Sequence, residues 1–243
     1  MQNNWLTTIK IAHRGLHNEE FPENSLGAFE NACKFGFAIE LDVQLTRDNH
    51  VVVFHDDNLE RLCNVKKTIQ NSTLSELQEY KLLNSSYAIP TLHEVLALVD
   101  KRIPILIELK SSKPRSTIAK HVYSIIKDYP GQLAIKSFNP MEVIWFKKHA
   151  PEITRGMLAS FLEDINFPRI YKLMIRSLAF YKQAKPHFIS YNIFDLPNKY
   201  VSRHNVPILT WTITSPTLES EALKIADNII FENYTPEQSQ IGV

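Results

Sequence analysis

A strand-then-helix phrase recurs along most of this chain, and it constrains the fold more than any other feature. Short aliphatic or aromatic runs occupy Thr8–Ala12, Ala38–Leu45, Val51–Phe54, Pro104–Lys110, Leu133–Ser137, Thr154–Leu158, Phe188–Tyr191, Pro207–Thr214 and Asn228–Phe231. Between them lie segments with helical spacing. One is capped by Asn24 or Ser25, carries the stripe Leu26, Phe29, Cys33 and closes at Gly36. Others cover Thr91–Asp100, Pro140–His149, Asp164–Lys185, Leu196–His204 and Thr217–Ala226, with a short helix over Leu74–Tyr80 behind Ser72. Alternation of this kind predicts a parallel sheet with helices outside it. Only Thr46–His50 separates Ala38–Leu45 from Val51–Phe54, too short for a parallel crossover, so these two form an antiparallel hairpin. The expected fold is therefore α/β: a TIM (β/α)8 barrel with an extra antiparallel return strand after the second barrel strand, one domain over residues 1–243. An open doubly wound sheet fits less well. No glycine-rich phosphate loop follows the first strand, and the chain has only 6 glycines.

The stretch Ala38–Asp57, AIELDVQLTRDNHVVVFHDD, carries the first chemical signal. Period-two alternation puts Ile39, Leu41 and Val43 on one face and Glu40, Asp42 and Gln44 on the other. A two-residue turn at Asp48-Asn49 would set Asp42 opposite His55. Two carboxylates and an imidazole then converge, as a hard cation and a proton-transfer group require. Taken alone, acids on such a strand are more often simply solvated.

Glu108 changes that balance. It interrupts the apolar run ILIELK, where a lone carboxylate is costly unless paired or bound to metal. Lys110 shares its parity. In a barrel, His13, Asp42, Glu108, Ser137, Asn192 and Trp211 all fall at or near strand C-termini, the rim where barrels of this class place their chemistry.

Other classes of function are disfavoured. With 27 Lys+Arg against 26 Asp+Glu, there is no electrostatic reason to expect nucleic acid. Cys33 and Cys63 stand in no metal-ligand spacing, and Cys33 reads as a buried thiol. No signal-type N-terminus or long apolar stretch is present, which leads us to expect a cytoplasmic protein without a transmembrane segment.

In order and spacing, His13-Arg14, Pro22-Glu23-Asn24-Ser25, Glu40-x-Asp42, His55-Asp56 and Glu108-x-Lys110, continued by Ser137-Phe138 and Trp211-Thr212, resemble the glycerophosphodiester phosphodiesterase family. The resemblance implies a barrel, one divalent cation (Mg²⁺ or Ca²⁺), and hydrolysis of small-molecule glycerophosphodiesters to glycerol 3-phosphate and an alcohol. On this basis Glu40, Asp42 and Glu108 are the expected metal ligands and His13 and His55 the acid–base pair. Arg14 and Lys110 would hold phosphate oxygens, with Trp211 and Phe138 as a wall for the glycerol carbons. Three departures stand out: a compact segment after His55-Asp56, Phe231-Glu232-Asn233 where the family usually has Thr-Asp, and Thr214 where it usually has Asn. The alternatives are a lysophospholipase D-type activity and a non-catalytic barrel. The former calls for an apolar lip or basic amphipathic helix at the rim, which no segment is expected to supply.

Overall fold

The computed structural model describes residues 5–110, 118–163 and 168–237. Its strands are β1 (Ile11–Ala12), β2 (Ala38–Leu45), β3 (Val51–Val53), β4 (Ile105–Leu109), β5 (Leu133–Ser137), β6 (Thr154–Ala159), β7 (Phe188–Asn192), β8 (Ile208–Ile213) and β9 (Asn228–Phe231). All but β3 run parallel in the order β1-β2-β4-β5-β6-β7-β8-β9, and β9 returns to β1. The expected eight-stranded barrel is therefore present. β3 is antiparallel to β2. Val43 pairs with Leu109 on one side and Val53 on the other, so β3 takes the edge that the two-residue β1 leaves open.

Alternation sorts each strand into an inward and an outward set. Inward, Ile11, Ala38, Leu106, Ala134, Phe188, Leu209 and Ile230 pack together beneath Trp5 and Leu6. Those two lie on a helical turn, Trp5–Thr8, tied down by the Asn228 amide donating to the carbonyls of Leu6 and Ile9. The inward layer is tight enough that a Cβ on Gly156 would lie 2.2 Å from the Phe188 ring. Outward, Ile39, Leu41, Val43, Ile105, Ile107 and Ile135 join Phe29, Leu92, Val95 and Val122 of the surrounding helices. One residue further up the inward face the side chains turn polar: Glu40, Asp42, Gln44, Glu108 and Lys136 are all buried. An apolar plug thus closes the N-terminal end, and charged groups line the C-terminal mouth.

Helix ends follow their local chemistry. Ser25 caps Leu26–Phe35 and Gly36 closes it at φ 72°. Thr91 caps Leu92–Val99 in a capping box with Glu94.

Several expectations need correction. The first strand is two residues, because Trp5–Thr8 is helical. Thr73 with Glu76, rather than Ser72, caps the helix Leu74–Gln78. Leu196–His204 is not a helix: a short 3₁₀ turn, Ile193–Asp195, precedes Pro197, and the Asn198 side chain accepts from the amides of Tyr200 and Val201, holding a turn instead. A helix at Ile118–Ile126 was not anticipated. Of the expected helix Asp164–Lys185, residues 164–167 lie outside the described residues, and the remainder splits into Arg169–Arg176 and Tyr181–Ala184.

The hairpin register also differs. Val43 faces Val53, which sets Asp42 opposite Phe54, not His55. The loop is longer than two residues: the Thr46 amide donates to the His50 carbonyl across Arg47, Asp48 and Asn49, with Asn49 at φ 63°. What brings His55 to the mouth is Gln44. Its buried amide donates to the carbonyls of Phe54, His55 and Asp56 at 2.9, 3.2 and 2.8 Å. Gln44→Leu leaves those carbonyls short of a donor; it is expected to destabilise the fold by about 1–3 kcal/mol and to lower turnover. Urea denaturation with parallel assays checks this, and wild-type stability in the variant would show that the loop holds itself.

Candidate active site

Burial defines the centre of the site. One oxygen each of Glu40, Asp42 and Glu108 lies within 4.8 Å of the others, and all three residues are buried. β2 supplies the first two on its inward face, and β4 supplies the third in register with Asp42.

Three like charges cannot be buried together without compensation, and the structure supplies it locally. Lys136 Nζ stands 2.9 Å from Glu40 Oε1 and 3.3 Å from Glu108 Oε2. It is nearly inaccessible; burial opposes its charge, but Glu40 and Glu108 outweigh that and raise its pKa. Lys110 Nζ lies 4.0 Å from Asp42 and 3.9 Å from Glu108. Asn24 donates to Asp42 Oδ2 at 3.0 Å and accepts from the Asp42 amide. Burial alone would push the Asp42 carboxyl up. Lys110, His55, Arg14 and His13 together hold it well below the usual carboxylate range.

Could these residues hold a cation? The donor set is all oxygen, as Mg²⁺ and Ca²⁺ prefer, with none of the His or Cys ligands that mark zinc sites. Lys136 is buried against Glu40 and Glu108 while Lys110 and Arg14 stand off at 3.5–4.0 Å, so the three acids still offer one oxygen each, within 4.8 Å of one another, to a cation. The group fits.

Two imidazoles flank the acids. The nitrogen Nδ1 of His13 lies 2.5 Å from Glu232 Oε2, and its Nε2 points toward Glu40 at 4.0 Å. His17 approaches the same Glu232 oxygen at 3.8 Å. Burial would raise the Glu232 pKa, but the bonds from His13 and His17 bring it far below its ordinary value. His55 is held in the same manner, Nδ1 to Asp56 Oδ1 at 2.7 Å. A carboxylate at Nδ1 selects the tautomer with the proton there, which leaves Nε2 free to exchange protons.

Behind the histidines the charged groups form a chain. Asp56 receives two bonds from Arg61, Arg61 gives two more to Glu23, and Glu23 accepts from Arg14 at 2.6 Å. Arg14 also turns its Nε toward Asp42 at 3.5 Å, and its amide donates to Glu40. Its guanidinium, expected to hold phosphate oxygens, is thus partly engaged by protein. Phe138 and Trp211 meet edge to face at 5.9 Å.

The structure therefore brings His13, Arg14, Glu40, Asp42, His55, Glu108 and Lys110 to one mouth. Sequence reading missed Lys136 and the part played by Glu232. For Lys136 the available signal was parity, since it alternates with Ala134 in a strand beside Glu108. The expectation of no basic amphipathic helix is also overturned. Arg169–Arg176, RIYKLMIR, lies after β6 with no residue fully buried.

Fold and site together define a parallel β/α barrel with a buried three-acid mouth, and comparison with known proteins gives the family. A family model for the glycerophosphoryl diester phosphodiesterase family matches residues 13–229. The glycerophosphodiester phosphodiesterase of Caldanaerobacter subterraneus is 37% identical over 164 residues, 63% of this chain and 67% of that one. The Bacillus altitudinis enzyme of the same name is 34% identical over 187 residues, 72% of this chain and 75% of its own. Among solved structures, an Oleispira antarctica phosphodiesterase in complex with the product sn-glycerol-3-phosphate superposes with a TM-score of 0.80 at 23% identity, covering 94% of each chain. A Thermotoga maritima glycerophosphodiester phosphodiesterase gives 0.72 at 26%, covering 92% of this chain and 94% of that one. This chain belongs to the glycerophosphoryl diester phosphodiesterase family.

Two tests address the electrostatics. Lys136→Met removes the ammonium between Glu40 and Glu108, so stability without divalent ions should fall by about 3 kcal/mol or more. Added Ca²⁺ or Mg²⁺ should then raise Tm more than in wild type. An equal loss with and without the ion would reduce Lys136 to packing. The Asp56 carboxyl is pushed up by burial but held at about 2, from 3.8, by Arg61 and His55. A lowered carboxylate pKa stabilises the fold above the unfolded value and stops doing so as pH falls through the folded one. The urea midpoint should thus drop between about pH 4 and pH 2, and Asp56→Asn should remove part of that drop.

Proposed function

We propose that the glycerophosphodiester hydrolysis of this family is carried out here by His13 and His55 acting beside a divalent cation, Mg²⁺ or Ca²⁺, held by Glu40, Asp42 and Glu108. The reaction converts a deacylated phospholipid headgroup into glycerol 3-phosphate and an alcohol. A single observation supports the assignment of roles: two imidazoles, each anchored at Nδ1 by its own carboxylate, flank one buried three-acid cluster.

A phosphodiester resists attack because its own charge repels a nucleophile and its leaving alkoxide is a poor one. The bound cation supplies charge neutralisation at the phosphoryl oxygens. One imidazole takes the proton of the attacking oxygen, whether the substrate's glycerol 2-hydroxyl or water. The other returns a proton to the departing alkoxide. Where the 2-hydroxyl attacks, the product is a cyclic phosphate, and water must then add at phosphorus, with the same two imidazoles in exchanged roles, to give glycerol 3-phosphate. Glu232 and Asp56 fix ring orientation, so that Nε2 is the exchanging atom in both. Lys110, the more exposed of the two lysines, supplies a point charge for a phosphoryl oxygen, and Arg14, beside Asp42, is the second cation for it. The edge-to-face Phe138–Trp211 pair offers the apolar wall for the glycerol carbons.

A panel of glycerophosphodiesters, assayed for glycerol 3-phosphate release with Mg²⁺ or Ca²⁺ and with chelator, tests the reading. Activity should need the cation. His13→Ala and His55→Ala should each lower turnover by about 10²–10⁴-fold while still binding it. Glu40→Ala should lose the metal-dependent rate. A normal metal titration in that variant would remove Glu40 from the ligand set, and a preference for lysophosphatidylcholine over glycerophosphocholine would change the substrate class.

A further inference from the structure

On the C-terminal rim, three successive segments expose apolar side chains. Met141 opens the helix after β5 at 39% exposure. After β6, the helix Arg169–Arg176 shows Ile170, Tyr171 and Leu173 at 59%, 49% and 42%. Phe194, after β7, is 81% exposed. A helix with five apolar residues out of eight normally buries a stripe of them in its own fold. This one buries none fully: Ile175 packs partly against the core, and Ile170, Tyr171 and Leu173 are left exposed.

The polar residues of that helix are equally pointed. Arg169, Lys172 and Arg176 fall at i, i+3 and i+7, on one face. They line a cavity of about 370 Å³ together with Phe161 and Glu163. Among the described residues none of the three forms an ion pair. Lys172 donates to the Glu163 carbonyl, and Arg176 stacks its guanidinium 6.0 Å from the Phe161 ring. The helix is held in place from beneath. The Tyr191 hydroxyl donates to the Arg176 carbonyl, and Asp195 accepts from the Phe161 amide, joining the segments after β6 and β7.

We propose that this lip docks on an anionic phospholipid bilayer, with Ile170, Tyr171, Leu173 and Phe194 entering the acyl boundary and Arg169, Lys172 and Arg176 meeting headgroup phosphates. Charge complementarity selects this occupant. The chain's net charge is only +1, yet three cations stand together beside the exposed apolar groups. That pairing of a cationic stripe with aromatic and aliphatic residues is the signature of a helix lying in an interface. The lip shares the rim of the catalytic mouth, so docking would hold that mouth against a lipid surface. The proposal goes beyond the catalytic reading and stands apart from it, because binding can be measured without turnover.

Sedimentation with vesicles of phosphatidylcholine alone, and of phosphatidylcholine and phosphatidylglycerol in equal parts, tests it. The wild-type chain should sediment with the mixed vesicles and stay in solution with the neutral ones. Arg169→Glu combined with Lys172→Glu should weaken partitioning by at least about 30-fold. Ile170→Ser with Leu173→Ser and Phe194→Ser should abolish it, with unchanged Tm and unchanged glycerophosphocholine turnover in both variants. Equal sedimentation with neutral and mixed vesicles, or with neither, overturns the proposal. So does wild-type binding by either variant. A concentration-dependent self-association removed by the apolar substitutions would assign the lip to a second copy of the chain. Intact vesicle binding with loss only of monomeric lysophosphatidylcholine turnover would assign it to an acyl chain. Both results are also contrary to docking.

Discussion

Three carboxylates buried within 4.8 Å of one another are the constraint the rest of the mouth answers to. In water such groups repel weakly; inside a barrel the same repulsion, added to desolvation, would open the fold. Neighbouring strands meet this with Lys136 and Lys110, and the loop after β1 adds Arg14 and Asn24. Counted with Lys136, Lys110 and Arg14 the three acids are formally balanced, but Lys110 and Arg14 stand at 3.5–4.0 Å, longer than the 2.9 Å Lys136–Glu40 contact. Three carboxylate oxygens preorganised within 4.8 Å of one another by fixed groups suit a hard divalent ion.

The same economy orients the two imidazoles. His13 leans on Glu232 from the far end of the chain, and His55 on its own neighbour Asp56. Asp56 is then tied through Arg61 and Glu23 back to Arg14, which faces Asp42. The loop bearing His55 and the turn bearing Arg14 are therefore one electrostatic unit. Gln44, from the strand between them, holds the carbonyls of the first.

How much of this was legible beforehand depended on whether a signal was local. Alternation in Ala38–Leu45 and the lone acid in ILIELK were readable, because period two and an unpaired charge in an apolar run are features of a few adjacent residues. The strand–helix rhythm gave the barrel. Pairing across the chain was harder. The hairpin register slipped by one because Asn49 adopts a left-handed conformation and lengthens the loop, a choice no turn dipeptide announces. Lys136 reads as a solvent-facing lysine until one knows that β5 lies beside β4. Glu232 looked like a departure from the family pattern, yet its carboxylate reaches His13. The helix Arg169–Arg176 was hidden inside a longer expected helix whose average pattern diluted its own.

The central claim is that the mouth of the barrel is built to hold one hard cation between Glu40, Asp42 and Glu108. A crystal grown with Mn²⁺ and measured at its anomalous edge tests it directly. The account predicts one strong anomalous peak bonded to oxygens of all three side chains, at about 2.0–2.6 Å for cations of this class. Absence of such a peak at saturating Mn²⁺, or a peak elsewhere with these carboxylates still paired to Lys136, would contradict it.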